Sequence, residues 1–467
     1  MIAWGTVIMV ADPHVILPVS PILSLDDYLA AGGGSGLRAA HELGREATLS
    51  EVTASGLRGR GGGGFPTGDK WRSVRDAGGG RRYVVANGAE GEPATFKDRT
   101  LMRLDPFRII EGAAIAAFVV GATDVHVATK RSFTRESDNL RRAAVELGGA
   151  GLLGELTVSI VEGPEEYLFG EEKALLEVIE GRDPMPRTLP PWQHGLFATV
   201  SMGWESGTSR GDDEPSSNPT VVNNVETLAA VAHVLANGPT WYRTFGTDES
   251  PGTIVATVVG DVQRPGVHEV ELGTPFTELL ERCGGPRRGR RFKAAFSGIS
   301  NPVLIAGDFD VPLSYEDFKA RGTGLGAAGF AVYDDRADMV SVAREYSRFL
   351  SVESCGQCPP CKQGSLAITE HLAAIEQGRG HDDDLASLNA LLRTVTDANR
   401  CYLGTEEQQV VSSLLRAFPE DFAGHLERRT RRPRPVLVPL IVDITPDGTV
   451  VYATRHTHKR PDWTYAD

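Results

Sequence analysis

Several features are scarce in this 467-residue chain, and each scarcity removes a class of protein. Cysteine is limited to five residues, too few for a secreted disulfide scaffold and in keeping with a reducing compartment. Basic residues are outnumbered, 48 Lys and Arg against 62 Asp and Glu. The resulting net charge of −14 argues against nucleic acid or an anionic membrane surface as the main partner. Long apolar runs are missing too. Trp4–Val10 is apolar but has no basic lead-in and meets Asp12 and Pro13 at once, so it does not read as a signal peptide. No later stretch has the uninterrupted apolar length of a membrane span, and no internal repeat is evident. What remains is an ordinary globular composition, 41% hydrophobic and 24% charged. The length suits roughly two to four domains.

The few cysteines are concentrated. In Ser354-Cys-Gly-Gln-Cys-Pro-Pro-Cys361 three thiols recur with two residues between them, and Cys401 follows further on. Such a run lets one tight loop aim three thiolates at one face of a cubane iron–sulfur cluster, with the remote cysteine on the last iron. Structural zinc more often draws its ligands as two separate pairs. Cys355, Cys358, Cys361 and Cys401 therefore point to a [4Fe–4S] cluster, the alternative being a group of buried thiols with no ligand. Cys283, left over, reads as a plain buried thiol.

Glycine is abundant in one telling place, Gly56-Leu-Arg-Gly-Arg-Gly-Gly-Gly-Gly-Phe-Pro-Thr-Gly-Asp-Lys-Trp71. Glycines let backbone approach a ligand closely and present consecutive N–H groups to an anion, and Arg58, Arg60 and Lys70 add positive charge. The stretch suits a phosphate or pyrophosphate, yet it is neither a Walker loop nor the usual GxGxxG setting, and a flexible surface loop is the alternative. Arg82–Ala86 reads as a buried strand running into the polar Asn87-Gly-Ala-Glu-Gly-Glu-Pro93. Polar residues at that end of a parallel strand are where open α/β sheets place ligands. Helical pattern over 106–120, a strand at 125–129, a helix at 135–147 and a strand at 156–161 continue an α/β alternation. The acidic stretch Glu162–Lys173 suits either ribose and amide recognition or the acid-rich start of a helix. One of Asn223 and Asn224 could cap the helix that follows. Residues 199–219 read as a polar surface insertion.

The texture changes near residue 250. The expected divisions are an N-terminal helical segment over 1–50, an α/β domain over 51–249 and a small β-rich domain over 250–333. A helical bundle of four stretches (337–350, 361–378, 383–398, 405–428) fills 334–428 and cages the cluster cysteines. A C-terminal extension over 429–467 opens with a basic linker and forms a hairpin about Asp447-Gly448.

Read in order, Gly56-Leu-Arg-Gly-Arg-Gly, Gly64-Phe-Pro-Thr-Gly, Phe96-Lys-Asp-Arg99, Tyr167 with Gly170-Glu-Glu172, Asn223-Asn-Val-Glu-Thr227 and Glu353-Ser-Cys-Gly-x-Cys-x-Pro-Cys361 resemble one family. It is the NADH-oxidising flavoprotein subunit of respiratory complex I, with the diaphorase subunits of NAD-linked hydrogenases and formate dehydrogenases, and the resemblance spans about residues 22–430. It implies a Rossmann-like domain for FMN and NAD(H), a ubiquitin-like β-grasp domain of the SLBB type, and a four-helix bundle with the [4Fe–4S] cluster. By position, Gly59, Arg60, Gly61, Gly62 and Lys70 would cradle the FMN phosphate and edge. Asn87, Glu90, Tyr167, Gly170, Glu171, Asn223 and Asn224 would line the flavin. Phe65, Glu92 and Glu172 would meet the dinucleotide, Trp192 would stack on adenine, and Glu90, Glu92 and Glu172 would act in the reaction. The implied activity is hydride transfer from NADH to FMN and passage of single electrons to the cluster. Its implied partners are a thioredoxin-like [2Fe–2S] subunit and a multi-cluster or catalytic redox subunit, in a cytoplasmic assembly that reaches a membrane only through partners.

This sequence departs from the family pattern at four places. Ala89 stands where an Asp is usual, Lys173 replaces a Thr, Ser73 an aromatic and Leu189 a Lys. These departures suggest a divergent paralogue and leave a second reading, a relay that keeps the cluster without oxidising NADH.

Overall fold

The computed structural model describes residues 15–199, 216–429, 434–445 and 447–466. The Trp4–Val10 run, most of the 199–219 insertion and the centre of the basic linker lie outside them. The described chain divides into two compact units. One holds the residues up to Glu90 with Asp98–Thr253, and the other holds Gly91–Lys97 with the chain from Ile254 onward.

In the first unit four parallel strands, β1 (Tyr83–Asn87), β2 (Asp124–Lys130), β3 (Thr157–Gly163) and β4 (Thr220–Asn224), lie in the order β3-β2-β1-β4. Val84, Val85 and Ala86 are fully buried, as expected where helices cover both faces of a parallel sheet. The helix Pro106–Val120 is apolar almost all round and correspondingly buried. Asp105 caps its start by accepting from the Arg108 N–H, Pro106 supplies a preset first turn, and left-handed Gly121 ends it. It packs against Val225–Asn237 so closely that a Cβ on Gly112 would lie 1.8 Å from the Leu228 carbonyl oxygen.

The short helices Leu25–Ala30, Ser35–Leu43 and Arg45–Ala54 belong to this same unit rather than forming a segment of their own. Buried Glu111 ties them in, accepting from the Leu37 N–H at 2.9 Å and from the Tyr28 hydroxyl. A local reading of the sequence does not reveal that a carboxylate so far along the chain needs those donors.

The second unit contains a mixed five-stranded sheet: β5 (Thr253–Gly260), β6 (Gly266–Glu271), β7 (Phe292–Ser297), β8 (Leu304–Ile305) and β9 (Gly329–Asp334). Its order is β6-β5-β9-β7-β8, with β9 parallel to β5 and antiparallel to β7. The helix Phe276–Arg282 closes one face over Ile254, Val258, Val270, Phe330 and Val332. Cys283 sits fully buried in this core, its sulfur 3.4 Å from His268 Nε2, and burial pushes its thiol up to about 12.

Five helices follow where four were expected: Met339–Glu353, Pro359–Glu376, Asp382–Thr394, Leu403–Ala417 and Pro419–Leu426. Pro419 breaks the fourth stretch. It offers no N–H to the preceding turn and holds Phe418 at φ −131°, ψ 49°, outside the helical region. Beyond, β10 (Ile441–Ile444) and β11 (Val450–Tyr452) form the antiparallel hairpin, with Gly448 at φ +84° in its turn. Among the described residues no helix is long and apolar enough to cross a membrane.

Candidate functional site

The chain leaves β1 toward β2 and β3 on one side, while β4 is added on the other, so the strand order reverses between parallel β1 and β4. Open α/β sheets bind ligands in the crevice at the carboxyl ends of such a strand pair. The β1–β4 register sets Ala86 opposite Asn223 and Asn87 opposite Asn224, which places three of the expected flavin residues at that crevice. β4 is short and was not legible in the sequence, since it emerges directly from a polar stretch. Asn87 donates to the Gly170 carbonyl at 2.9 Å and accepts from the Ala89 N–H. Asn224 accepts from the Glu226 N–H as the helix cap, and donates to Asp98 at 2.7 Å. Asn223 accepts from the indole N–H of fully buried Trp71 at 2.7 Å.

Backbone without side chains surrounds these groups. A Cβ on Gly61 would come within 3.1 Å of the Asn224 Cβ, and one on Gly170 within 3.3 Å of the Ala89 carbonyl oxygen. The glycine loop is a closed turn rather than a flexible one. Gly59 N–H donates to Phe65, Thr67 N–H to Leu57, and Arg58 Nε to Gly64, with Gly62 at φ +117°. A bare, preorganised cradle of this kind fits a phosphate-bearing planar cofactor.

Arg60 does not face that cradle. Its guanidinium is buried and donates to the carbonyls of Arg58, Thr253 and Pro251 and to the Tyr242 hydroxyl at 3.0–3.1 Å. The expectation of a phosphate ligand is corrected to a residue that holds the loop from behind, because interior acceptors surround its side chain. Lys70 is one-fifth exposed, donating to Val222 at 3.0 Å and pairing with Glu172 at 2.8 Å. It remains the cation of the expected phosphate set at the front.

The acids take distinct positions. Glu90 is buried against Arg99 at 2.8 Å and accepts from the Asp98 N–H, so it fixes the start of the helix Lys97–Leu104. Its expected part in the reaction becomes a positioning one, since both of its oxygens face that helix start. Glu171 caps the helix Glu172–Ile179 through the N–H groups of Lys173 and Ala174. Burial raises its carboxyl to about 7 against the opposing pull of Lys173, 3.7 Å away. Tyr167 opens the 3₁₀ turn Tyr167–Gly170 just before it. Phe65 and Trp192 are among the few large apolar side chains left exposed, at 55% and 37%. Ala89 is buried and packs with Phe169 and Leu175.

Glu92 belongs to the second unit, where it accepts from the Ile299 N–H at 2.7 Å and the Ser300 hydroxyl at 3.1 Å. Trp71, Asp98, Arg99 and Thr227 were missed as site-shaping residues, Thr227 accepting from the Arg60 N–H at 2.9 Å. The charged triplet Lys97-Asp-Arg99 at a helix start was the one available signal.

The cysteine site is built from helix ends. The helix Met339–Glu353 stops at extended Ser354, left-handed Gly356 turns the chain, and Cys358 caps Pro359–Glu376. Cys358 and Cys361 therefore lie at the positive end of an 18-residue helix. Gln357 Nε2 lies 3.6 Å from Cys355 Sγ, the Arg400 N–H 3.4 Å from Cys358 Sγ, and Ser354 Oγ 3.4 Å from Cys361 Sγ. Cys401 follows Arg400 in the loop before Leu403, and none of the four cysteines is in a disulfide. Burial pushes Cys361 up to about 11, so iron binding would release its proton. Among the described residues no three His, Cys, Asp or Glu side chains converge on a single-ion position. A cubane's four ligands address four separate irons and need not converge. Four thiols, three of them met by N–H or O–H donors, fit such a cluster.

A switch-point cradle beside a glycine loop, in one chain with a four-thiol helical cage, defines a flavin- and iron–sulfur-dependent redox protein. Comparison with known proteins agrees. Residues 52–233 match the family described as the Nuo51 FMN-binding domain. Residues 255–296 match the SLBB domain, and 341–425 the NADH-ubiquinone oxidoreductase-F iron-sulfur binding region. The chain is 37% identical over 418 residues to an NADH-quinone oxidoreductase subunit of Rhizobium meliloti (strain 1021), covering 87% of this chain and 95% of that protein. It is 34% identical over 414 residues to the NADP-reducing hydrogenase subunit HndC of Solidesulfovibrio fructosivorans, covering 86% and 81%. The crystal structure of an air-oxidized NAD+-reducing [NiFe]-hydrogenase superposes with TM-score 0.75 at 31% identity, over 87% of this chain and 67% of that one. The chain belongs to the family of the FMN-binding NADH-quinone oxidoreductase subunits.

Proposed function

We propose that this chain is an NADH dehydrogenase (diaphorase) subunit that binds FMN in the β1–β4 crevice and a [4Fe–4S] cluster on Cys355, Cys358, Cys361 and Cys401. The observation that carries the reading is the register that sets Asn87 opposite Asn224 beside bare glycine backbone, in a chain that also holds four cysteines outside any disulfide at the ends of its bundle helices. FMN held there would supply the conversion of a two-electron hydride donor into single-electron transfer, for which the cluster held by the cysteines would be the one-electron acceptor. The chain's own residues bind and orient. The backbone N–H groups of Gly61 and Gly62 and the Lys70 ammonium meet the phosphate, while Asn87, Asn223, Asn224, Tyr167 and Gly170 line the ring. Exposed Phe65 and Trp192 offer aromatic faces to the dinucleotide, and Glu172 is the acid assigned to meet it. Glu171 titrates near neutrality, so its charge at the flavin edge depends on pH.

A protein with one cluster requires a neighbour to accept its electrons. We assign that role to a thioredoxin-like [2Fe–2S] subunit, and then to a multi-cluster or catalytic redox subunit, in a cytoplasmic assembly. Anaerobic titration with NADH tests the reading, with flavin absorbance and electron paramagnetic resonance (EPR) of the cluster as readouts. Stoichiometric flavin bleaching followed by a reduced-cluster signal is expected. A cluster-bearing protein whose flavin is absent or inert to NADH would overturn it in favour of a relay.

A further inference from the structure

The C-terminal extension lies outside all three matched families. Its described residues make a small closed knot. Lys459 bridges Tyr465, the Arg460 carbonyl accepts from the Trp463 N–H, the Arg460 N–H donates to Thr464, and Arg455 stacks 4.2 Å over the Tyr465 ring. This knot sits on the two segments that carry the first three cluster cysteines. Glu353, the last residue of its helix and two positions before Cys355, is buried. A carboxylate at the negative end of a helix, taken out of water, needs cationic partners. The knot provides them: Lys459 Nζ, itself buried, and His456 Nε2, each 2.8 Å from Glu353 Oε1. On the other arm, Lys362 follows Cys361 directly and bonds three carbonyls, Ser351 and Ser354 at 3.1 and 2.8 Å and Pro461 of the extension at 2.6 Å. One turn earlier, Arg348 donates to the carbonyls of His456, Thr457 and Lys459, and the Phe349 ring lies 4.9 Å from the His456 ring.

We infer that residues 455–465 form a strap that fixes both arms of the Cys355–Cys361 loop, with Glu353, Lys362, His456 and Lys459 as positioning residues for the cluster. The inference rests on the cluster assignment proposed above. Through Glu353 and Lys362 the strap grips the residues on either side of the thiolate run, so its loss loosens the ligands together rather than singly. It also balances the charge of Glu353, and an uncompensated carboxylate beside the loop disfavours adding an electron to the cluster.

The test compares the intact protein with a variant ending at Ala453 and with Lys459→Met, Lys459→Arg and the pair Glu353→Gln/Lys459→Met. Iron and sulfide content, bleaching of cluster absorbance in air, the cluster midpoint potential and the reduced EPR spectrum are the readouts. Truncation and Lys459→Met are each expected to speed bleaching about tenfold or more, and Lys459→Met to lower the potential. FMN content should stay at the intact level, because the residues assigned to the flavin all belong to the first unit. Lys459→Arg restores the intact behaviour. The paired variant bleaches no faster than Lys459→Met, because it removes the buried carboxylate that has lost its lysine and keeps only His456. Bleaching within twofold of intact in both the truncated and the Lys459→Met proteins, with unchanged potential and spectrum, would overturn the strap alone. An intact protein without iron and sulfide would overturn the cluster assignment together with it.

Discussion

Arg60 offers the sharpest test of sequence against structure, because the two assign it opposite directions. A phosphate-binding arginine would be dispensable to the empty protein and decisive for the loaded one. The structure instead buries its guanidinium among the carbonyls of Arg58, Thr253 and Pro251 and the Tyr242 hydroxyl. In Arg60→Met these four acceptors lose their donor inside the fold. An unsatisfied buried acceptor costs about 1–3 kcal/mol, and release of the arginine's own desolvation offsets part of the sum. The net expectation is about 3–5 kcal/mol, which for a unit of this size lowers the melting temperature by roughly 10 °C. Thermal unfolding of the FMN-free protein, followed by circular dichroism, reads this directly. Arg60→Lys should recover little, since one ammonium cannot reach four acceptors arranged for a planar fork. An FMN-free Arg60→Met protein melting within about 1 °C of wild type, with FMN affinity reduced more than tenfold, would refute the reasoning and restore the phosphate role.

Three further outcomes are expected. Glu171 has a folded value of about 7, above its ordinary 4.5, so the folded state holds its proton longer than the unfolded chain. Its contribution to stability is therefore greatest below pH 4.5 and is lost as pH rises to about 7. Glu171→Gln should flatten that slope in pH-dependent melting, and Lys173→Met should move its upper end higher by removing the cation that opposes the shift. Lys70→Met should lower FMN affinity about tenfold or more, by fluorescence titration, yet cost less than about 1 kcal/mol of stability, since its pair with Glu172 is partly exposed. Serine at any of Cys355, Cys358, Cys361 or Cys401 should abolish the cluster by iron content and EPR. Cys283→Ser should keep the cluster and cost about 1–2 kcal/mol for a hydroxyl in an apolar core.

Much of the fold could be read locally. β1, β2 and β3 announce themselves as short apolar runs, and the hairpin around Gly448 by its turn residues. The fourth bundle stretch was misread as continuous because its periodicity survives Pro419, whose missing N–H ends the preceding helix. β4 was hidden because five residues beside a polar stretch carry little pattern of their own. Only pairing with β1 makes them a strand.

What the sequence determined by itself is the chemical inventory: four cysteines spaced for a cluster, a glycine run that admits a phosphate, and an α/β alternation that places ligands at strand ends. These are properties of residue type and spacing, which survive without knowledge of the fold. What only the tertiary structure decided is the direction in which each charged side chain points. Arg60 turns inward, Glu90 is held by Arg99, Lys70 meets Glu172, and the extension grips Glu353. A charged group settles where donors and acceptors can replace its lost water, and those partners lie from nine to 182 residues away along the chain.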